Sequence, residues 1–428
     1  MTAHAVQSGD HDPNSSASAK ANLQIFANNG HVNIGHDVIV NAFAQQFGSS
    51  HASANAKANI FAHTDVTING NIDIMASAYN LGTAVDGASA CANLRINALD
   101  GNVMVNHDID VEAFAHSHGS GSAMASALAN IRASNNLLIN GNVEVVGSAT
   151  NPASGATDVT GLATLRLNAV NGGLTINHSV TVRASASGGG SSSVAFASAV
   201  AKLIGNTNVN VGGDVEVDAD ALLLNSHGDG ANANASLLIH AVTGHASVGG
   251  NIDVKAIARS SGTDSVLASA QANVRANTDI NINGSAGVSA NAQHSGFNSS
   301  SAVANANLEL RALKGHVDIN HGIMVEAVAY QLGSSAAHAN AQANIRANTS
   351  IDITGNALVE AIASFLHSGS PSPSHGAYAC ANLQLNAHNG VILGGLNVQA
   401  HALSEGSATA SATARANILG SNVTIGNA

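Results

Sequence analysis

Ala92-Asn93-Leu94-Arg95-Ile96-Asn97-Ala98 runs into Leu99-Asp100-Gly101, then Val103-Met104-Val105, then Asn106-His107, then Ile109-Asp110-Val111-Glu112-Ala113-Phe114-Ala115. In the first segment Ala92, Leu94, Ile96 and Ala98 share one parity, and Asn93, Arg95 and Asn97 the other. In the last, Ile109, Val111, Ala113 and Ala115 alternate with Asp110, Glu112 and Phe114. A period of two marks a strand with one face buried, and no helical period competes with it. Asp100-Gly101 and Asn106-His107 supply turn residues between the strands. A Gly/Ser tip, His118-Gly119-Ser120-Gly121-Ser122, closes the unit before Ala123, Ala125, Ala127 and Ala129 open the next.

The same unit recurs along the whole chain at a period of roughly 36 residues, the signature of a solenoid or propeller. Its most constant phrase is Ala-Asn-Leu or Ala-Asn-Ile, as at Ala21-Asn22-Leu23, Ala58-Asn59-Ile60 and Ala343-Asn344-Ile345. Odd copies carry turns such as Asn28-Asn29-Gly30, and even copies turns such as His63-Thr64-Asp65, so the true unit is a pair of copies. The expected fold is all-β, a parallel β-helix or β-solenoid of about twelve rungs. The alternative is a string of antiparallel repeat hairpins, for which Asn69-Gly70 and Asn140-Gly141 offer type I′ turns. Asn and Gly meet a demand for positive φ at any tight corner, so those dipeptides do not decide. The Asn of the constant phrase favours the parallel stack, because aligned Asn side chains bond along a ladder. The expected ladder is Asn22, Asn59, Asn93, Asn130, Asn273, Asn307, Asn344, Asn382 and Asn417.

A uniform repeat implies one elongated domain, 1–428, with incomplete rungs at 1–20 and 416–428. Val, Val, Ala, Ala on the outgoing strand would face Ala, Ala, Leu, Ile on the returning one, giving a core that tapers towards the Gly/Ser tip. The formal net charge of −12 argues against a nucleic-acid partner. No stretch approaches the ~20 apolar residues of a membrane helix, which argues against membrane insertion. The start, Met1-Thr2-Ala3-His4-Ala5, lacks the charged and apolar regions of a secretory signal. Cys91 and Cys380 both precede an Ala-Asn-Leu phrase, so they would lie too many rungs apart to bridge.

Leu165-Arg166-Leu167-Asn168-Ala169, Gly173-Leu174-Thr175-Ile176 and Val180-Thr181-Val182 resemble the repeats of filamentous-haemagglutinin-type exoproteins. The resemblance spans most of the chain on a degenerate pattern. It implies a right-handed parallel β-helix, export by two-partner secretion to an extracellular or cell-surface site, and roles in adhesion and biofilm. The copies here are longer than that family's typical rung, and its N-terminal secretion domain is not visible.

The candidate chemistry is sparse. His36, His107, His178 and His321 share a turn position but would lie two rungs apart, too far to hold one metal. Gly212-Gly213-Asp214 and Gly228-Asp229-Gly230 only faintly match calcium-binding turns. Asp110 with Glu112, and Glu216 with Asp218, alternate along outward strand faces rather than across a cleft. No phosphate loop, nucleophile or metalloprotease signature is present, so neither catalysis, cofactor nor metal is expected. Phe43, Phe114, Ile257 and Val328 form an outward apolar stripe suited to contact between rods.

The termini complete each other: the last residues and the first together make nearly one copy. The expectation is an extracellular structural protein that polymerises head to tail with copies of itself, through Met1, Ala3, Ala5, Val423, Ile425 and Ala428. The tips, such as Ser191-Ser192-Ser193 and those between Ser368 and Ser374, would decorate the outside. The alternative is the rod of a secreted adhesin, with host-surface or matrix glycans as a further partner class. A polysaccharide-binding or cleaving β-helix is a distant third, since aromatics are only 3%.

Overall fold

The computed structural model describes residues 1–7, 16–48, 50–82, 86–190, 194–224, 230–296, 300–333, 335–366, 376–405 and 408–426. Ser191–Ser193, the 368–374 tip, Gly228, Asp229 and Ala428 lie outside these. Among the described residues there are strands and no helix. The strands stack as coils of a β-solenoid with about 11 turns of ~36 residues. The expected twelve rungs correspond to the twelve return strands, since the end copies each contribute one without closing a full turn.

One coil is built from a return strand (Ala88–Ala98), a short strand (Val103–Val105) and an outgoing strand (Ile109–Ser117). Return strands form a 12-stranded sheet; short and outgoing strands together form a 22-stranded one. Each pairs in parallel with its counterpart one coil away, which excludes the antiparallel hairpins. Asn69-Gly70 and Asn140-Gly141 therefore join strands of one coil at a corner instead of folding a ladder back.

The core follows the parity of the sequence. Ile72, Ile74, Ala76 and Ala78 of one outgoing strand are fully buried, as are Ala88, Ala90, Ala92, Leu94 and Ile96 of the following return strand. Large residues crowd the corner end and Ala the tip end, so the cross-section tapers as expected. The taper is extreme where Gly147 and Gly161 replace Ala. A Cβ at Gly147 would overlap the Leu162 carbonyl, and one at Gly161 the Ser185 carbonyl.

Inside this wedge one column carries the two-coil period without exception. Leu23, Ala58, Leu94, Ala129, Leu165 and Ala201 stack in that order, followed by Leu237, Ala272, Leu308, Ala343, Leu383 and Ala416. Each Leu after Leu23 thus has Ala above and below, and the methyl positions leave room for the isobutyl group to spread along the axis. This spreading fills the space between coils at the density a protein interior requires.

The alternation corrects the expected Asn ladder. The constant phrase places its large residue at Leu23 in one coil and at Ile60 in the next, and these are not equivalent: Leu23 pairs with Ala58, and Ile25 with Ile60. The phrase slides by two residues in every other coil, keeping its parity and losing its column. Asn22 therefore stacks on Lys57, and Asn59 on Gln24 and Arg95. Likewise Asn93 meets Lys57 and Leu128, Asn130 meets Arg95 and Arg166, and Asn273 meets Leu238 and Glu309. Asn307, Asn344, Asn382 and Asn417 pair with Gln342, Glu309, Gln342 and Gln384 respectively. None of the nine stacks on another.

Polar ladders do exist, at the corners. Asn106 donates its amide to Asn69 at 2.8 Å, Asn140 to Asn106 at 2.9 Å, and Asn177 to Asn140 at 2.8 Å. A second ladder links side chains to backbone. The Asn71 N–H donates to Asp37 at 2.7 Å, Asp108 to Asn71 at 3.2 Å, and Asn142 to Asp108 at 2.6 Å. It continues through Ser179, Asp214 and Asn251 to Ser285. Each corner N–H, which would otherwise lack a strand partner, is satisfied by the coil before it.

These ladders also replace the expected demand for positive φ. No described non-Gly residue has positive φ, and the glycines that do are Gly322 and Gly333. Gly70 and Gly141 are glycine because a Cβ there would overlap the ladder carboxylates of Asp37 and, for Gly141, crowd the Asp108 carboxylate.

Candidate functional site

Three kinds of surface are left by this architecture: two end faces, two broad side faces, and the tip edge.

At one end face, Thr2–Gln7 pairs on one side only, with Asn41 to Gln46. Ala3 and Ala5 lie partly buried against the core, while Met1 is 60% exposed. Ala17–Ala27 and Val32–Ile34 are likewise paired on one side, by Ala52–Ala62 and Val66–Ile68. At the other end, Thr409–Leu419 pairs only with Gly376–Ala387 one coil earlier, and Asn422–Ile425 only with Gly390–Ser404. Val423 and Ile425 are 45% and 44% exposed, although they continue the inward column of Val391 and Leu393. Such open strand edges template further pairing.

Charge divides the two side faces. Outward positions of the return sheet hold Lys20, Lys57, Arg95, Arg132, Arg166 and Lys202 in successive coils. Arg275, Arg311 and Arg346 follow in three successive coils, with Arg415 on the last return strand. Ten of the chain's 14 basic residues thus share one face, on which the described acid is Glu309, paired with Arg275 at 3.3 Å. The outgoing sheet is predominantly acidic, with Arg183, Lys255 and Arg259 as its described cations. Asp73, Asp110 and Glu144 form one column in consecutive coils, with Glu112 beside them, and Glu216, Asp218, Asp220 and Asp253 cluster further along. Net charge alone conceals this division, which the register reveals.

Stacking like charges one strand spacing apart, about 4.8 Å, has an electrostatic cost. Burial, then Glu144, Asp108 and Asp73, push the Asp110 carboxyl up to about 6. Asp218 is also pushed up to about 6, first by burial and then by Glu216. Glu112, Asp73 and Asp253 are raised by burial above all. Arg183 relieves part of the crowding by a two-pronged contact with Glu216 at 2.8 Å.

Phe43, Phe114, Ile257 and Val328 do share one outward column of the outgoing sheet, but they do not touch. Ser77, Ser148, Ser185, Asp220 and Asn291 lie between them, and Ser77, flanked by the two Phe, is 7% exposed. At its start the column belongs to an aromatic string, in which the His4 ring stacks on Phe43 at 4.6 Å and Phe43 meets Tyr79 at 5.6 Å. Cys91 and Cys380 occupy one outward column of the return sheet and are both free thiols. Burial raises the Cys91 thiol pKa.

Sequence reasoning missed an inward polar column at the tip edge. Gln46, Asn80, Ser117, Asn151, His294 and Gln331 end their outgoing strands fully buried. Asn151 donates to the Gly119 and Gly121 carbonyls at 3.0 and 2.6 Å, and accepts from the Ala153 N–H at 3.1 Å. Asn80 likewise holds its tip through Gly82 and Asp86. His294 contacts the Gly262 carbonyl at 3.1 Å, and burial lowers its pKa. The signal was present as the break in the Ala run, a polar residue at an inward parity with Gly two residues on at all but Asn151.

Among the described residues, no group of three His, Cys, Asp or Glu is placed to hold a metal ion. His36, His107, His178 and His321 sit at exposed corners. No family model matches the chain, and neither does any curated protein or solved structure.

Proposed function

We propose that the chain is a structural β-solenoid that assembles head to tail into an extracellular fibre. The observation that carries this reading is the continuity of columns across the two end faces. The alternating core column begins with Leu23 and ends with Ala416, so a second copy stacked on the first resumes the alternation in phase. Val423 and Ile425 would meet Val32 and Ile34 of that copy, apolar on apolar in the same column. Thr2–Gln7 of the second copy would continue the outgoing column above Gln399 to Ser404, supplying the strand that completes the coil begun by Asn422–Ile425. The contact joins unlike faces and does not close, the geometry of a filament. Extracellular placement rests on the resemblance to exported repeat proteins.

Electron microscopy of the purified protein tests it. Long unbranched filaments with a layer line near ~4.8 Å are expected, and Ile425→Lys should leave dispersed particles, since a charge cannot be buried unpaired at the joint. Discrete rods of roughly 58 Å, twelve strand spacings, or filaments indifferent to Ile425→Lys, would reject end-to-end stacking. Discrete rods would favour the adhesin-rod alternative.

A further inference from the structure

We infer that the two side faces are a matched pair, through which copies of this chain associate side by side, basic return sheet against acidic outgoing sheet. This contact is separate from end-to-end stacking and uses none of its residues.

Both faces are built on one repeat, so their charges advance along the axis at the same spacing. Arg95 stands in the coil that carries Asp110 and Glu112, Arg132 in that of Glu144, and Arg311 in that of Glu326. Two parallel copies laid face to face in register thus bring cation to anion in six coils, those of Lys57, Arg95, Arg132, Lys202, Arg311 and Arg346. Arg166 meets Arg183, which is already held by Glu216; the coils of Lys20 and Arg275 offer no acid on the outgoing strand, and the coil of Lys255 and Arg259 no cation on the return strand. Return strands of 11 residues, stacked twelve deep, make a flat face of about 2,000 Å² at the usual strand dimensions. A stable interface needs about 800 Å² per partner. Arg95, Arg166, Arg311 and Arg346 are exposed and have no ion-pair partner among the described residues. Apolar residues interleave with the charges on both faces, Phe196 and Leu238 on one, Phe114 and Val328 on the other. That mixture suits a protein partner better than a flexible polyanion, whose binding would rest on charge alone. The pairing joins unlike faces, so it propagates into layers.

The test is sedimentation velocity on Ile425→Lys protein, in which axial growth is blocked, at about 0.02 M and about 0.5 M salt, on either side of the ~10 Å screening length at 0.1 M. Association at low salt that falls at least tenfold at high salt is expected. One triple variant weakens the basic face and leaves the acidic face intact (Arg95→Glu, Arg166→Glu, Arg311→Glu). Another weakens the acidic face and leaves the basic face intact (Glu112→Lys, Glu326→Lys, Glu360→Lys). Each alone should associate less tightly than the parent, and an equimolar mixture, which pairs the intact face of each, should associate at least tenfold more tightly than either. A parent protein that stays dispersed at low salt overturns the inference whatever the variants do. So does a mixture no tighter than its components when both retain the β circular-dichroism spectrum. Dispersed parent protein that retains dextran sulfate would assign the basic face to a polyanion instead. Because axial growth is blocked throughout, failure here leaves the filament reading to its own test.

Discussion

A single asparagine shows how far side-chain identity alone can mislead. Asn93 and Asn106 lie in the same copy, both between strand-forming residues, and the first belongs to the most constant phrase in the chain. Yet Asn106 bonds along the axis to both neighbours, while Asn93 stands between Lys57 and Leu128. Asn106→Ala should cost about 1–2 kcal/mol, the net worth of two hydrogen bonds. Asn93→Ala should change stability by less than about 0.5 kcal/mol, as surface substitutions do; urea denaturation of the two variants checks both. Titration gives a second residue-scale prediction. The Asp110 carboxyl titrates near 6 in the fold and at 3.8 when free, so at pH 7 its ionised form weighs against folding. That penalty is relieved as pH falls through 6 and is gone below 3.8. Asp110→Asn should therefore raise stability at pH 7 by about 1 kcal/mol, allowing for solvent screening of a half-exposed group. The gain should vanish near pH 4, in thermal melts across that range. His294 acts in the opposite sense, refusing a proton below its ordinary 6.5, and cancels in the comparison of the variant with its parent.

At the scale of the strand, parity was legible and phase was not. The period-two pattern told which side chains face inward, and the burial of Ile109, Val111, Ala113 and Ala115 follows it. Matching Ala-Asn-Leu to Ala-Asn-Ile was wrong by two residues because a slide of two preserves parity, and parity was the only constraint applied. The strand ends break the tie: stacking Leu23 over Ile60 would carry Ala27, the last residue of its strand, over Thr64, past the end of the next strand at Ala62. Ala201 tests the alternating column directly. It is fully buried between Leu165 and Leu237, so Ala201→Leu would place three Leu in a row. Overpacking of this kind costs about 1–3 kcal/mol, measurable as a lowered midpoint in urea. An unchanged midpoint would show the alternation to be incidental to packing.

For the whole molecule, the sequence disclosed the repeat and the tapering core, because each depends on residues near one another in the chain; the parallel stack agrees with expectation, although the Asn ladder that argued for it does not form. The division of charge was hidden for the opposite reason. Lys57, Arg95 and Arg132 are far apart in sequence and join one face only when the register is known. The tip column was hidden by its chemistry, since buried polar side chains read as surface until their carbonyl partners are seen. If fibres form with the alternation in phase at every joint, their power spectrum should carry a weaker layer line near ~9.6 Å, twice the strand spacing, beside the main one. Its absence in well-ordered fibres would mean that the joint breaks the two-coil period.

The corner ladder has a direction. At every link from Asp37 to Ser285 the earlier coil supplies the side-chain oxygen and the later coil the N–H that seeks it. A chain delivered amino end first, from a ribosome or through a pore, therefore always finds the acceptor in place before the donor arrives. Each finished coil is a mould for the next, and nothing in the ladder waits on residues still to come. Order can advance in step with delivery, one coil at a time, and a folding front moving that way would draw the rest of the chain after it.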